Sequence, residues 1–260
     1  MKVSKIMDNN LIGSPYQIYR IKNKIFIQIK RSKYKIKIAK LNKNIAYLVG
    51  VIMGDGNITI ISRKDVSKYP RTRIRIYNSS IPLLKMLQML FKDSFNYSGI
   101  ITKKKDKNCY ILEINSKIIC SYFINFIGLK AEKKINLKIP IHVKKKEFFK
   151  YFLAGLMDTD GFYTCKTFGI MMAGSNEDFL KNIKLLSKSL HGLFFLNPMK
   201  SKLIFNEKVF ERVQMNLSRK SVIDFYRIIP LKNNKWVEAD SNRRYLPCKG
   251  SIITTRSPTH

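Results

Sequence analysis

Residues 45–56 read IAYLVGVIMGDG and residues 149–161 read FKYFLAGLMDTDG, two apolar stretches that close on the same pair, Asp55-Gly56 and Asp160-Gly161, 105 residues apart. Small residues recur in each at helical spacing: Gly50 and Gly54 share one helix face, as do Gly155 and Thr159. Small faces let two helices approach closely. The spacing therefore predicts a helix pair packed through Gly50, Gly54, Gly155 and Thr159. Asp55 and Asp160 should emerge side by side at the two C-termini, with Gly56 and Gly161 ending the helices.

The flanks repeat as well. Branched and aromatic residues predict strands at 57–62 and 71–77 after the first stretch, and at 162–166 and 168–173 after the second. Amphipathic helices follow at 81–92 and 176–191, the latter entered through Ser175 with Glu177 and Asp178 in its first turn. Strands at 99–104 and 110–114 answer to 193–196 and 209–217, helices at 117–127 and 220–229 come next, and LKAEK at 129–133 aligns with LKNNK at 231–235. A repeat this long is a duplicated half rather than a solenoid unit. The expected fold class is α/β (α+β): two αββαββα halves, residues 44–136 and 147–247, related by a pseudo-twofold axis, with antiparallel sheets that form a saddle. Residues 137–146 (LKIPIHVKKK) carry a proline and a lysine run and are expected as a short exposed linker, and 248–260 as a C-terminal tail. In residues 1–43, Ile25, Ile27 and Ile29, then Ile36 and Ile38, alternate with polar residues, which predicts a basic arm containing a hairpin.

The chain has 260 residues, 45% of them hydrophobic, enough to build a core, and 50 Lys plus Arg against 17 Asp plus Glu leave a net charge of +33. Such a field attracts polyanions and makes nucleic acid the expected partner. The start MKVSKIMDNN has neither a hydrophobic signal region nor a myristoylation motif, and no apolar run is long enough to span a bilayer. The expected setting is intracellular with no membrane partner: the cytoplasm or nucleoid of a prokaryote, or an organelle matrix. Cys109, Cys120, Cys165 and Cys248 form no CxxC pair and are expected as buried thiols, not as zinc ligands or disulfides. His142, His191 and His260 are too scattered for a histidine-based site.

LVGVIMGDG at 48–56 and LAGLMDTDG at 153–161 resemble the two motifs of a single-chain LAGLIDADG homing endonuclease. The second is the nearer match. The first has Met53 and Gly54 where the motif name has Asp and Ala, but keeps the terminal Asp-Gly. Two carboxylates at negative helix ends repel each other unless a cation sits between them, and hard oxygen ligands select Mg²⁺, with Mn²⁺ as a substitute. Asp55 and Asp160 are therefore the candidate catalytic, metal-binding acids of a phosphodiester hydrolase. The resemblance implies more: cleavage of both DNA strands across the minor groove with short 3′ overhangs, and backbone carbonyl ligands from Gly54 and Thr159. It also implies Lys133 and Lys235 as basic residues that position solvent and balance charge, and Asn78 as a water-positioning residue whose counterpart, Gly174, has no side chain.

Strand periodicity puts Arg71, Arg73 and Arg75 on one face, opposite Thr72, Ile74 and Ile76. In the second half Arg212, Gln214 and Asn216 share a face opposite Val213, Met215 and Leu217. Guanidinium and amide groups suit base edges and phosphates. Thr59, Ile61 and Arg63, with Thr164 and Lys166, are further candidates on the first strands. Unlike faces in the two halves predict a long, asymmetric target. The expected function is that of a site-specific, intron-encoded homing endonuclease acting as a monomer on double-stranded DNA. Two rivals stay open: an RNA maturase that binds its own intron RNA, and a non-cleaving DNA-binding protein of the same build.

Overall fold

Helix α1 (Lys43–Gly54) begins where the Asn42 side chain accepts hydrogen bonds from the amides of Asn44 and Ile45, and it is buried without a break from Ile45 to Gly54. A helix apolar all round needs packing partners on every face. Its main partner is α4 (Lys146–Asp160), and no other pair of helices among the described residues packs so extensively. The computed structural model describes residues 16–21, 24–29, 32–61, 71–104, 108–131, 137–164, 169–174, 176–205, 208–233 and 235–236.

The two helices touch through backbone. A Cβ on Gly50 would lie 2.1 Å from the Phe152 carbonyl oxygen, and one on Gly155 would lie 2.1 Å from that of Tyr47. Further along, a Cβ on Gly54 would lie 1.9 Å from Thr159 Oγ1, so the missing side chain of one residue makes room for the other. The Thr159 hydroxyl turns back on its own helix, donating to the carbonyls of Leu156 (2.9 Å) and Gly155 (3.2 Å).

One polar pair lies inside this contact. Tyr47 Oη donates to Asp158 Oδ2 at 2.6 Å, and both residues are 0% exposed. Burial, then the charge and hydrogen bond of Asp158, push the Tyr47 phenol far above its ordinary value, which keeps it protonated as a donor. The 105-residue offset aligns Tyr47 with Phe152 and Asp158 with Met53. The polar partners thus occur together on one side of the repeat and are both apolar on the other.

The chain divides into two compact units, Met1–Asp160 and Gly161–His260, with α4 in the first because it packs on α1. In the first unit β4 (Gly56–Ile61), β5 (Arg71–Asn78), β6 (Ile100–Lys103) and β7 (Tyr110–Ile114) form an antiparallel sheet ordered β4-β5-β7-β6. Thr72, Ile74, Ile76, Leu112 and Ile114 are buried, as are Leu83, Leu84, Leu87 and Phe91 of α2 (Ile81–Phe95), which packs on β5, β6 and β7. The helix α3 (Lys117–Ser121) widens into a π-helical turn, Tyr122–Ile127, where a continuous α-helix is expected, and stops at Gly128 with φ 90°. Tyr122 and Phe123 there pack edge-on against each other and on Phe95. Ahead of α1 stands a small antiparallel sheet, β1 (Tyr16–Ile21), β2 (Lys24–Ile29) and β3 (Ile36–Ile38), with one strand more than the expected hairpin.

In the second unit β8 (Gly161–Thr164), β9 (Gly169–Gly174), β10 (Met199–Phe205) and β11 (Lys208–Asn216) are ordered β8-β9-β11-β10, the connectivity of the first sheet. The helix α5 (Glu177–His191) is capped by Asn176, which accepts from the Phe179 amide at 2.8 Å, one residue after the expected Ser175. Gly192, with φ 67°, ends it. The last helix, α6 (Val222–Ile228), follows a single 3-10 turn, Arg219–Ser221.

Three further expectations change. The segment 193–196 is not a strand: only Phe195 bridges, to Leu217, and β10 starts after Pro198. Leu193 and Phe195 alternate with exposed neighbours because they are buried, and alternation records burial whether or not a ladder forms. The segment 137–146 is not simply exposed, since Ile139 and Val143 are buried around the 3-10 turn Ile141–Lys144. Gly56 and Gly161 are the first residues of β4 and β8 and not left-handed caps, and a Cβ on Gly56 would lie 2.5 Å from Ile52 Cα. Of the cysteines, Cys120 is buried, which pushes its thiol up to about 12, Cys109 is partly exposed, and Cys165 and Cys248 lie outside the described residues.

The helix contact makes two predictions for urea unfolding. Gly155→Ala should lower stability by about 3 kcal/mol or more, at or above the upper end of ordinary overpacking, because the methyl group meets a fixed carbonyl. Gly174→Ala, whose Cβ would meet only Leu180 at 3.8 Å, should change it by less than about 0.5 kcal/mol. Equal effects would contradict the backbone contact. Tyr47→Phe should cost about 1–3 kcal/mol by removing a hydrogen-bond donor from a buried carboxylate, and adding Asp158→Met, the pairing found on the other side of the repeat, should recover most of that loss. Additive losses in the double variant would show that the two residues act independently.

Candidate active site and nucleic-acid interface

Asp55 is the C-cap of α1, with φ −85° and ψ −4°, and Gly54 is the last residue of that helix. Asp160 is the last residue of α4. The Asp160 carboxylate reaches the end of α1, since Oδ2 lies 3.3 Å from where a Gly54 Cβ would stand. The same close contact that seats Gly50 and Gly155 therefore brings two acids to adjoining helix ends. Asn78, the last residue of β5, donates from Nδ2 to Asp55 Oδ2 at 2.7 Å, and the Tyr77 amide donates to the Asp55 carbonyl at 3.2 Å. Asn78 thus touches the carboxylate directly and holds its orientation. In the second unit Lys235 Nζ donates to the carbonyl of Gly161, the residue after Asp160, at 2.5 Å and lies over the Trp236 ring. Lys133 lies outside the described residues.

The donor set fits a hard divalent cation. Two carboxylates stand at the adjoining ends of α1 and α4, where Gly54 is the last residue of one helix and Thr159 precedes the last residue of the other. No three His, Cys, Asp or Glu side chains gather anywhere among the described residues. A cation here would complete its oxygen shell from backbone, water and phosphate, which is how Mg²⁺ is usually held.

Beyond the acids, the first-unit sheet shows the alternation expected of β5. Thr72, Ile74 and Ile76 are buried, Arg73 and Arg75 are partly exposed and Arg71 is exposed. Register places Thr59 opposite Arg73 and Ile61 opposite Arg71, both partly exposed. The sequence reading missed Glu113. It pairs with Arg75 across the β5–β7 ladder, accepting from Arg75 Nε at 2.5 Å and from Asn115 at 2.8 Å, with Arg73 at 3.6 Å. Burial alone would raise its carboxyl, but the hydrogen bonds from Arg75 and Asn115 and the charges of Arg75 and Arg73 outweigh that and hold it below the ordinary carboxylate range. Its contribution to stability is accordingly present above the unfolded-state value and lost as pH falls through the folded one. The signal was available in the strand period, since Glu113 shares the parity of Ile111 on a strand whose buried residues are Leu112 and Ile114. A cleft runs past Ile61, Arg71, Arg73, Glu113, Asn115 and Lys117.

On the second sheet Arg212, Gln214 and Asn216 are partly exposed while Val213, Met215 and Leu217 are buried. The side-chain oxygens of Gln214 and Asn216 are sheltered and make no hydrogen bond among the described residues. Thr164 ends β8, and Arg63 and Lys166 lie outside the described residues. No described helix is long and apolar enough to cross a membrane.

Residues 42–128 match the model of the LAGLIDADG-like domain. The chain is 30% identical over 142 residues to the glutamine–fructose-6-phosphate aminotransferase (isomerizing) of Methanocaldococcus jannaschii, which covers 54% of this chain and 12% of that protein. It is 27% identical over 198 residues to a subunit of the A-type ATP synthase of Pyrococcus abyssi, which covers 75% of this chain and 18% of that one. The chain thus spans less than a fifth of the length of either curated relative. Among solved structures it is similar to mesophilic variants of the homing endonuclease I-DmoI, with a TM-score of 0.54, 19% identity and coverage of 75% of this chain and 97% of that one. Against I-DmoI in complex with DNA and Mn the values are 0.52, 19%, 72% and 96%. The chain thus carries a LAGLIDADG-like domain at 42–128, repeats the motif at 153–161 and shares the fold of I-DmoI.

Proposed function

We propose that this protein is a site-specific homing endonuclease, encoded within an intron, that hydrolyses both strands of a long asymmetric DNA target as a monomer and leaves short 3′ overhangs. The observation that carries the reading is the pair of acids, Asp55 and Asp160, held at adjoining helix ends by a contact too close to tolerate a side chain. A binding protein would have no use for two such charges, which repel both each other and phosphate. Mg²⁺, or Mn²⁺ in its place, would be held by these carboxylates and by the carbonyls of Gly54 and Thr159, and when bound would supply the charge that activates water and stabilises the leaving oxygen.

The protein's own groups supply the rest. Asn78 fixes the orientation of the Asp55 carboxylate by donating to Oδ2. Lys235, anchored on the Gly161 carbonyl, places an ammonium one residue from Asp160, where it offsets charge that builds on the phosphate, and Lys133 takes the matching role in the first half. Arg71, Arg73 and Arg75, with Thr59, Ile61 and Arg63, read one half-site. Arg212, Gln214 and Asn216, with Thr164 and Lys166, read the other. A stretch shared with two long proteins of unrelated name over a small part of each behaves as a portable module, which suits a mobile element.

Asp55→Asn and Asp160→Asn test this directly. On a plasmid carrying the intron-free insertion site, each should bind at least as tightly as the parent yet lose double-strand cutting by on the order of a thousandfold, the scale expected when charge stabilisation at the reacting phosphate is removed. If both variants and their combination linearise the plasmid at the parental rate, the two-helix centre is not the active site. A second measurement addresses Glu113. Replacing it with Gln should raise affinity for mixed-sequence duplex a few-fold, because one repelling charge is gone, while discrimination at the base pair read by Arg75 falls by about 1–3 kcal/mol as the guanidinium loses its support. Unchanged discrimination would mean that Arg75 does not read a base.

A further inference from the structure

The sheet β1–β3 lies ahead of the LAGLIDADG-like domain at 42–128, and nothing in the cleavage reading uses it. Its charge is distinctive. Residues 16–43 contain ten Lys or Arg and no Asp or Glu, against a net +33 over 260 residues for the whole chain. One face of the sheet is structural: Ile27, Ile36 and Ile38 are buried, and β3 packs on α2. Lys37 ties the same edge down by donating to the Asp93 carbonyl, and Asn96 donates to the Lys35 carbonyl at 3.4 Å. The register sets Gln17 opposite Gln28, Tyr19 opposite Phe26 and Ile21 opposite Lys24 on the other face. Arg20, Lys24, Lys33 and Lys35 are all exposed, with the Lys35 ammonium 4.6 Å from the Tyr19 ring centre and that of Lys33 5.2 Å from the Tyr34 ring centre.

Position gives this surface a direction. Strand β5 runs from Arg71 to Asn78, and its Asn78 end is at Asp55. At about 3.3 Å per residue its Arg71 end is about 23 Å away. The N-terminal sheet joins the protein at that far end. Tyr34 packs edge-on against Tyr97, Tyr97 Oη donates to the Asn115 carbonyl, and one cavity is shared by Ser32, Tyr34, Ile36, Tyr97, Asn115 and Lys117. Asn115 and Lys117 also line the cleft beside Arg71 and Arg73, so the basic surface continues from β5 onto the added sheet.

We propose that the N-terminal sheet is a second duplex-DNA contact, which grips the phosphates of DNA lying outward of the half-site read by β5. The proposal rests on the reading of β4–β7 as a DNA surface, because only a duplex that runs along β5 away from Asp55 arrives at β1–β3. A second copy of this chain does not fit the same face, since two such surfaces carry like charge and repel. Neutralising a phosphate releases condensed counterions, so each ammonium engaged leaves a mark on the salt dependence of binding.

The test uses the full chain with Ca²⁺ present in place of Mg²⁺ and a mixed-sequence duplex of about 40 bp, with affinity followed from about 50 to about 200 mM salt. The variant Lys24→Ala/Lys33→Ala/Lys35→Ala should lower the slope of log affinity against log salt by about 2–3, at about 0.9 for each phosphate no longer neutralised, and weaken binding at least about tenfold at low salt. Lys181→Ala/Lys184→Ala/Lys188→Ala, which removes the same charge from α5, should leave the slope near the parental value. A parental slope in the first variant, or equal losses in both, overturns the proposal, as does a loss seen only with a single-stranded RNA of the same length. Arg71→Ser/Arg73→Ser separates the two readings: if it leaves duplex affinity unchanged, the DNA surface on β5 is itself wrong, whereas if it weakens binding and the N-terminal lysines do not matter, only the second contact fails.

Discussion

The structure depends on one steric fact: two helices meet at the distance of backbone against backbone. Gly50 lies on the carbonyl of Phe152 and Gly155 on that of Tyr47, positions at which any Cβ would overlap a main-chain oxygen. Apolar area alone would bring two such helices together at ordinary interaxial distances, with side chains interleaved. Glycine removes that layer. Each helix terminus then falls beside the other, so that Asp160 reaches the end of α1 while Asp55 caps it. The catalytic proposal, the position of Asn78 and the course of β5 away from the acids all follow from how close that approach is.

The same contact explains why the first motif departs from the second. Gly54 stands where the motif name has Ala, and Thr159, its partner in the repeat, fills the space that a methyl group on Gly54 would take. Met53 stands where the motif name has Asp, and its counterpart Asp158 is buried and hydrogen-bonded to Tyr47. The residue that would have to answer a second buried acid is Phe152, which has no hydroxyl. A carboxylate without a donor in that interior would be costly, so the tyrosine and the aspartate occur together on one side and are absent together from the other. The helix interface is thereby not symmetric, and each face is matched to its partner and not to itself.

Charge is arranged with similar selectivity. On a chain of +33, Glu113 is placed among the arginines of the first sheet, where Arg75, Arg73 and Asn115 converge on it. A guanidinium on a bare strand samples many rotamers, whereas one bonded to a neighbouring carboxylate is already oriented when a ligand arrives, and less entropy is lost on binding. The acid lowers general attraction for phosphate and gives the face a shape. Lys235 follows the same logic on a smaller scale, with its ammonium fixed on the Gly161 carbonyl and backed by Trp236.

Residue order by itself determined the duplication, the antiparallel αββαββα plan, the glycine faces and the two acids, because each is written in local spacing: period 3.6 for the helices, period two for the strands, and a 105-residue offset between halves. Spacing also marked which face of β5 carries Arg71, Arg73 and Arg75. It could not say what those side chains meet. Glu113 lies 38 residues beyond Arg75 and reaches it only because β7 pairs next to β5 in register, and Asp158 finds Tyr47 across 111 residues because α4 docks on α1. Alternation at 193–196 read as a strand because Leu193 and Phe195 are buried, but the segment pairs only through one bridge, Phe195 with Leu217, flanked by hydrogen bonds between Leu196 and Asn216 and between Ser218 and Phe194, and the continuous ladder begins after Pro198 with β10. The N-terminal segment showed its hairpin in the isoleucine spacing, but its place at the far end of β5, beside Asn115 and Lys117, exists only in the folded chain, where contacts between residues distant in sequence decide which surfaces become continuous.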